Sequence, residues 1–289
     1  MSKPLTKADF TNEREVRWCP GCGDYAILAA LQKTLPKLGL PPEKHVFISG
    51  IGCSGRLPYY MNAYGFHTLH GRAPTVATGL KAMRDDLCVW LITGDGDGLS
   101  IGTNHLVHML RRNMDINIIL VNNQVYGLTK GQYSPTSPKG MVTKTSPDGV
   151  AVDALNPMML ALASGASFAA RGVDKDPKHL GELIEASFHH QGTSFLEIYQ
   201  DCHIFNPGAF DAFSTKSNRE QHVDYLNDAP NDLSRAMELS QLTFPEHPVP
   251  LGIFYREARE GFKLENNGHK KRADLETLLR AKASFKVEA

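Results

Sequence analysis

With 289 residues, 42% of them hydrophobic and 21% charged, the chain can bury a large core, as one big α/β domain or two smaller ones. Its 31 basic and 31 acidic residues cancel, which removes the electrostatic case for a nucleic acid or an anionic membrane as partner. The stretch from Met1 to Arg17 is polar, no apolar run nears the roughly 20 residues of a membrane span, and five cysteines make too few for a secreted disulfide framework, so the cytoplasm is the expected compartment.

In chain order, Cys19-Pro20-Gly21-Cys22 comes first, followed by a helix predicted over Asp24 to Leu35 with Ile27, Leu28, Leu31 and Leu35 on one face. A strand over His45 to Ser49 leads to Ile51-Gly52-Cys53-Ser54, and Pro74 marks the first turn of another helix. The strand Leu87 to Thr93 runs into Gly94-Asp95-Gly96-Asp97, a helix over Leu99 to Arg112 follows, and the strand Ile116 to Asn122 ends at Asn122-Asn123. Further strands are expected over Ser167 to Arg171 and Thr193 to Tyr199, with a helix over Asp176 to His190 between them. These strands are short and almost continuously apolar, as strands buried on both faces of a parallel sheet are. The expected fold is therefore α/β, a doubly wound, mostly parallel sheet. After Cys202 the alternation stops. The remainder, through Asn206-Pro207, Asp228 to Asp232 and the prolines at 245, 248 and 250, reads as an extended tail with little core of its own, which divides the chain into residues 1–201 and 202–289.

A Cys-x-x-Cys pair can grip a metal centre, form a redox disulfide or occur by coincidence. Zinc ribbons need a second close pair about 15 to 20 residues on, and none exists; Cys53 and Cys202 follow singly and far along the chain. Scattered thiolates of this kind suit a cubane iron–sulfur cluster, with a zinc site or dithiol chemistry as the alternatives. Cys88 lies inside an apolar strand and reads as a small hydrophobe. The Gly-Asp-Gly-Asp loop sits between strand and helix, where parallel sheets bind ligands and helix amides meet phosphate. Asp95 or Asp97 would supply hard oxygen to magnesium, and Asn122-Asn123, at the end of the next strand, would add a second ligand.

The stretches WCPGCGDY, GIGCSGRLPYY, TLHGRAPTVATGLK, GDGDGLSIGTNH and NNQVYGLTKGQYSPTSPKG resemble the β subunits of the 2-oxoacid:ferredoxin oxidoreductases, which depend on thiamine diphosphate. The likeness covers Trp18 through about Cys202 and continues into the tail. It implies that Asp95 and Asn123 bind magnesium through their side chains and Val125 through its carbonyl. Gly94, Asp95, Gly96 and Asp97 would wrap the diphosphate together with Asn123, Val125, Tyr126, Gly127 and Leu128. Ile51, Gly52, Cys53 and Ser54 would lie by the thiazolium ring, and His70 would bind the cofactor as a possible proton donor near the substrate. Cys19, Cys22, Cys53 and Cys202 would hold one [4Fe–4S] cluster, so that Cys53 links the two centres.

The resemblance also implies oxidative decarboxylation of a 2-oxoacid, electrons leaving through the cluster to ferredoxin and coenzyme A taking the acyl group. An α subunit, in an (αβ)2 assembly, would supply the glutamate that contacts the aminopyrimidine and much of the coenzyme A site, and residues 202–289 would pack on it. His70, Arg72 and Lys130 are the candidate residues for catalysis and substrate binding. The GLTKGQ stretch, Gly127 to Gln132, resembles family members acting on 2-oxoglutarate or on a broad 2-oxoacid range, and Lys130 suits a second carboxylate. The expected substrate is 2-oxoglutarate, then pyruvate; a zinc-stabilised binding module is the reading from another class. His105 and His108 read as helix surface, His189-His190 as a favourable helix end, and Ser134 to Pro138 as an ordered loop over the cofactor or a plain surface loop.

Overall fold

The computed structural model describes residues 4–211, 231–242 and 249–262. Its centre is a seven-stranded sheet of order β2-β1-β3-β4-β8-β7-β9. The strands are β1 (His45–Ser49), β2 (Tyr64–His67), β3 (Cys88–Gly94), β4 (Asn117–Asn122), β7 (Phe168–Val173), β8 (Ser194–Tyr199) and β9 (Gly252–Arg256). All pairings are parallel except β7 with β9. A separate antiparallel hairpin joins β5 (Val125–Tyr126) to β6 (Gln132–Tyr133). The five strands expected from sequence are present, shifted by a residue or two at some ends.

Side chains alternate across the sheet with the period of a strand. Phe47, Trp90, Ile92, Ile119 and Ile198 face one side, where Ile27 and Leu31 of α1 (Asp24–Thr34) and Leu180 and Leu183 of α5 (Pro177–His189) cover them. Val46, Ile48, Val89, Leu91 and Ile118 face the other, under Ala77 of α2 (Ala73–Met83) and Leu106 and Leu110 of α3 (Thr103–Arg112). Each crossover helix thus buries an apolar stripe on the sheet that its own strands built. The helix expected over Leu99 to Arg112 is in fact two pieces. A π-turn over Asp97–Ile101 precedes α3, and Gly102 accommodates the join.

Beyond Cys202, two described stretches pack on the core of the sheet. A helix, here α6 (Leu233–Ser240), buries Ala236 and Leu239, and β9 buries Ile253, Phe254 and Tyr255 in the same cluster as α1 and α5. The run Gly-Ile-Phe-Tyr-Arg is short and follows Pro250, so it lacks the strand–helix–strand context that marked the others; an edge strand tolerates such a neighbour. Pro245, Pro248 and Asp228 lie outside the described residues. No helix among the described residues is long and apolar enough to cross a membrane.

His45 opens β1 and is 0% exposed. Trp90 Nε1–H donates to its Nδ1 at 3.1 Å and its Nε2 faces the Leu40 carbonyl at 3.2 Å, so the geometry fits only a neutral ring with the proton on Nε2. Burial accordingly lowers its pKa from the ordinary 6.5 to about 4. An unfolded chain takes up that proton at higher pH than the folded one. The stabilisation is therefore complete above the unfolded value and is lost as pH falls towards the folded one, by up to about 1.4 kcal/mol per pH unit. Buried Asp24, whose carboxyl is raised to about 7 by burial, acts with the opposite sign. The informative measurement is thus a difference: His45→Gln, which still offers Trp90 an acceptor, should lose less stability than the wild type in denaturant melts between about pH 6.5 and 4.5. Parallel curves would refute the assignment.

Candidate active site and metal centre

Four strands that are neighbours in the sheet, β1, β3, β4 and β8, end on the same edge because they are parallel. Their carboxyl ends carry, in that order, Cys53, Asp95, Asn123 and Cys202. Parallel pairing alone therefore gathers residues that are far apart in sequence, at the edge where such sheets bind ligands.

Asp95 is 2% exposed. Its Oδ2 accepts from the hydroxyl of Ser134 and lies 2.6 Å from that of Thr136, whose oxygen is also 2.9 Å from Asn122 Oδ1. Thr136 has one proton and two acceptors, so the three groups are held in a single cage. Behind them Asn122 Nδ2 donates to Glu197 Oε1 at 2.8 Å, and Glu197 Oε2 accepts from Arg171 Nε at 2.7 Å. Arg171 lies over the rings of Tyr199 and Phe254, at 5.2 and 5.0 Å. Removing one member of this buried ion pair would strand the other, at a cost of about 3–5 kcal/mol. Burial raises the Asp95 pKa against the effect of its hydroxyl and amide donors, and no cation is among the causes. A desolvated carboxylate oriented by neutral hydroxyls is chemistry that a cation completes, so the residues fit magnesium.

Asn123 Oδ1 accepts from Val125 N–H at 3.1 Å, which sets the turn into β5. Tyr126 Oη–H donates to the Gly96 carbonyl at 2.9 Å. A Cβ on Gly96 would stand 2.3 Å from the Tyr126 ring, so only glycine lets the two loops close on each other. Gly127 and the half-exposed Leu128 follow, and Lys130 is held at φ 83°, with Lys130 N–H on the Gly127 carbonyl and Gly131 N–H on that of Tyr126.

Asp97 has a different place from Asp95. Its Oδ1 accepts from Ile51 N–H (3.1 Å), Gly71 N–H (2.7 Å) and His70 Nδ1 (2.7 Å), and its Oδ2 from the Thr93 hydroxyl (2.6 Å). A carboxylate so engaged organises the turns of Ile51, Gly52 and His70. Because the carboxylate can only accept, His70 donates from Nδ1 and leaves Nε2 as the free ring nitrogen. Arg72, at the start of α2, spends its guanidinium on the carbonyls of Ile101 (3.1 Å) and Gly71 (3.4 Å). Ser54 is buried, its hydroxyl beside Gly94.

The cysteine segments are tied together by bonds from neighbouring residues. Trp18 Nε1–H donates to the Cys53 carbonyl at 2.7 Å, Gly23 N–H to that of Asp201 at 3.1 Å, and Gln200 Nε2 to Cys22 Sγ at 3.3 Å. Asn206 Nδ2 donates to the Asn123 carbonyl at 3.0 Å, joining the loop after Cys202 to the Asp95 site. A Cβ on Gly127 would lie 3.4 Å from Cys53 Sγ and 3.7 Å from Cys202 Sγ. Burial raises the thiols of Cys22, Cys53 (to about 12) and Cys202, and Cys19 and Cys202 act electrostatically on Cys53. All five cysteines are free. Among the described residues no three His, Cys, Asp or Glu side chains close on a single-ion site. A four-iron cubane is larger than an ion and takes ligands that stand further apart, so converging but separated thiols fit the cluster.

Sequence reasoning did not reach Glu197, Arg171 or Gln200. Each sits in or just after a strand that read as core, and nothing in linear order couples it to a loop residue. The loop from Ser134 to Ser137 had a signal in its hydroxyl-rich, proline-flanked composition, and the structure makes it the cage around Asp95. Cys88 is half-buried beside Asn117, away from the other four thiols' bonds.

The family described as "Thiamine pyrophosphate enzyme, C-terminal TPP binding domain" matches residues 50–198. The chain is 54% identical over 228 residues to the 2-oxoglutarate oxidoreductase subunit KorB of Mycobacterium tuberculosis, across 79% of this chain and 61% of that relative's length. It is 42% identical to the 2-oxoacid:ferredoxin oxidoreductase subunit beta of Saccharolobus solfataricus, across 83% of this chain and 81% of the relative. A solved structure of 2-oxoglutarate:ferredoxin oxidoreductase from Magnetococcus marinus, with 2-oxoglutarate, coenzyme A and succinyl-CoA bound, superposes at a TM-score of 0.83 and 37% identity, covering 96% of this chain and 97% of that one. Fold and sequence agree, and the chain belongs to the family of 2-oxoacid:ferredoxin oxidoreductase β subunits.

Proposed function

We propose that this chain works with an α subunit, in an (αβ)2 assembly, to convert 2-oxoglutarate, coenzyme A and oxidised ferredoxin into succinyl-CoA, carbon dioxide and reduced ferredoxin. The carrying observation is Gly127, where the turn beside the candidate magnesium ligands packs against the thiols of Cys53 and Cys202. Electron carrier and organic cofactor would be neighbours there. Bound thiamine diphosphate supplies the electron sink for loss of carbon dioxide.

The chain's own residues divide the work. Asp95, Asn123 and the Val125 carbonyl would hold magnesium, with Asp95 Oδ2 fixed by the hydroxyls of Ser134 and Thr136. Cys19, Cys22, Cys53 and Cys202 hold one [4Fe–4S] cluster. His70, its ring set by Asp97 through Nδ1, presents Nε2 for proton transfer. The α subunit is supported by the edge strand β2, which leaves Tyr64 (63%) and Phe66 (48%) exposed, with Leu69 (75%) just beyond. Bare apolar edges of this kind are normally covered. Anaerobically purified β chain alone should not reduce a viologen dye with 2-oxoglutarate and coenzyme A, whereas the αβ complex should; substantial turnover by β alone would sink the two-subunit reading.

Lys130 carries the substrate choice. It is exposed and held at positive φ, a conformation that costs a non-glycine residue on the order of 1 kcal/mol and so points to a constrained role. Lys130→Ala should raise KM for 2-oxoglutarate by about tenfold or more, equivalent to about 1.4 kcal/mol, and leave that for 2-oxobutyrate nearly unchanged. Equal effects on both would remove Lys130 from recognition of a second carboxylate.

A further inference from the structure

Gln200 follows Tyr199, the last residue of β8, and is 1% exposed. Its backbone N–H donates to the Asn122 carbonyl at 2.9 Å, which ties it to the strand end that leads into Asn123. Its side-chain amide nitrogen makes two bonds, to Cys22 Sγ at 3.3 Å and to the Asp201 carbonyl at 2.6 Å. A carboxamide nitrogen has two hydrogens, so both are spent, and both partners are acceptors that require nitrogen rather than oxygen on that side. The orientation of the amide is therefore fixed by what it meets.

Those partners are themselves held. The Asp201 carbonyl also takes Gly23 N–H at 3.1 Å, and Asp201 N–H donates to Asp174 Oδ2 at 2.8 Å. A Cβ on Gly23 would stand 1.7 Å from that same Oδ2, so the chain after Cys22 has to pass there as bare backbone. One polar side chain thus joins the Cys19–Cys22 segment to the segment of Cys202. Its Oε1 is buried without a hydrogen-bond partner among the described residues. An unbonded buried oxygen costs free energy that an apolar side chain of the same size would not. What an amide offers here and an apolar side chain cannot is an N–H aimed at sulfur. Among the described residues, no other side chain donates to any of the four candidate ligand thiols.

We propose that the Gln200 carboxamide raises the reduction potential of the iron–sulfur cluster, an inference that rests on the reading above in which Cys19, Cys22, Cys53 and Cys202 hold one. Reduction adds negative charge to a cluster and its thiolates. The positive end of an N–H dipole directed at a sulfur favours that reduced state, and more strongly where burial keeps the local dielectric low. Gln200 touches neither substrate nor iron and acts through Cys22, which makes it a positioning residue with an electronic effect. Cys22 is half-buried, and beyond that burial the Asp24 carboxyl acts electrostatically against its thiolate. The Gln200 amide works on the same sulfur with the opposite sign.

The test is a redox titration of the anaerobic αβ complex at one fixed pH, read by electron paramagnetic resonance, in the wild type and in Gln200→Met. Methionine keeps the length and volume of the side chain and has no donor. Iron and acid-labile sulfide, measured alongside, should match the wild type, and the potential should fall by about 59 mV, a tenfold change in a one-electron equilibrium. A residue that only packed would change iron content or melting temperature and leave the potential of the retained cluster where it was. KM for the 2-oxoacid should stay within about twofold. Should Gln200→Met fail to assemble, the wild type labelled with the heavy nitrogen isotope in its glutamine side chains decides the matter, because the nitrogen coupling seen by pulsed resonance in the reduced cluster should differ from that of unlabelled protein. An unchanged or higher potential in an iron-replete variant would overturn the proposal, and so would a spectrum indifferent to the label. The titration needs no turnover, so a lowered potential in a Gln200→Met complex inactive on every 2-oxoacid would uphold the role of Gln200 and refute only the proposed reaction. A wild type without iron would overturn the cluster and this inference together.

Discussion

Asp95→Asn is expected to melt at a higher temperature than the wild type without cofactor, and to lose the further rise that thiamine diphosphate and magnesium give. The carboxylate is 2% exposed, its partners are hydroxyls and amides, and burial raises its pKa. Holding such a charge away from water costs free energy until a cation arrives. An asparagine keeps the shape and can still bond Ser134 and Thr136, so it removes the cost without opening a cavity. Each kcal/mol so recovered should appear as about 2–4 °C in melting temperature. It cannot balance a divalent ion, however, so the ligand-linked stabilisation, about 2.7 kcal/mol at a hundredfold excess over Kd, should disappear. Thr136→Val probes the same cage more gently and should weaken magnesium about 10–100-fold, as loss of an outer partner does. A variant that melts lower than wild type without cofactor, or retains the cofactor-linked rise, would show that Asp95 is not a metal ligand.

Cys53→Ser should strip the chain of iron and acid-labile sulfide and bring dye-coupled turnover of the αβ complex to background, with the fold intact. Its thiol is shared ground: it stands with Cys202 at the turn of Gly127, and its carbonyl is held by Trp18 from the Cys19–Cys22 segment. Serine preserves the backbone contacts but offers a hard oxygen where iron and sulfide select soft thiolate. Cys88→Ser is the matched control, because that residue stands beside Asn117 at the start of β3, and its iron content should stay at the wild-type level. Stoichiometric zinc in place of iron in the wild type would instead favour the binding-module reading. Retention of iron by Cys53→Ser would take this residue out of the ligand set.

The strands and crossover helices were legible because doubly buried parallel strands are written as apolar runs and crossover helices as one-sided ones. Asp95, Asn123 and the four cysteines could be singled out as candidate ligands because metals and phosphates demand particular atoms, and Gly96 allows a close backbone approach. The edge strand β9 was not, since an antiparallel strand at a sheet margin has no following helix to announce it. Asp97 was legible as a loop carboxylate, but its binding of four separate donors depends on three turns meeting in space. The Arg171–Glu197–Asn122 chain was hidden for a similar reason: its members lie on adjacent strands whose register is set only by pairing.

What the sequence alone determined is chemistry: which side chains can bind iron, magnesium or phosphate, and which segments must be covered on both faces. What the tertiary structure decided is company. Parallel strands β1, β3, β4 and β8 deliver Cys53, Asp95, Asn123 and Cys202 to one edge, and the loops then sort two similar carboxylates, giving Asp95 a desolvated cage and Asp97 a set of amide, hydroxyl and imidazole donors. Linear order cannot make that distinction, because burial and hydrogen bonding between distant segments exist only once the sheet has closed.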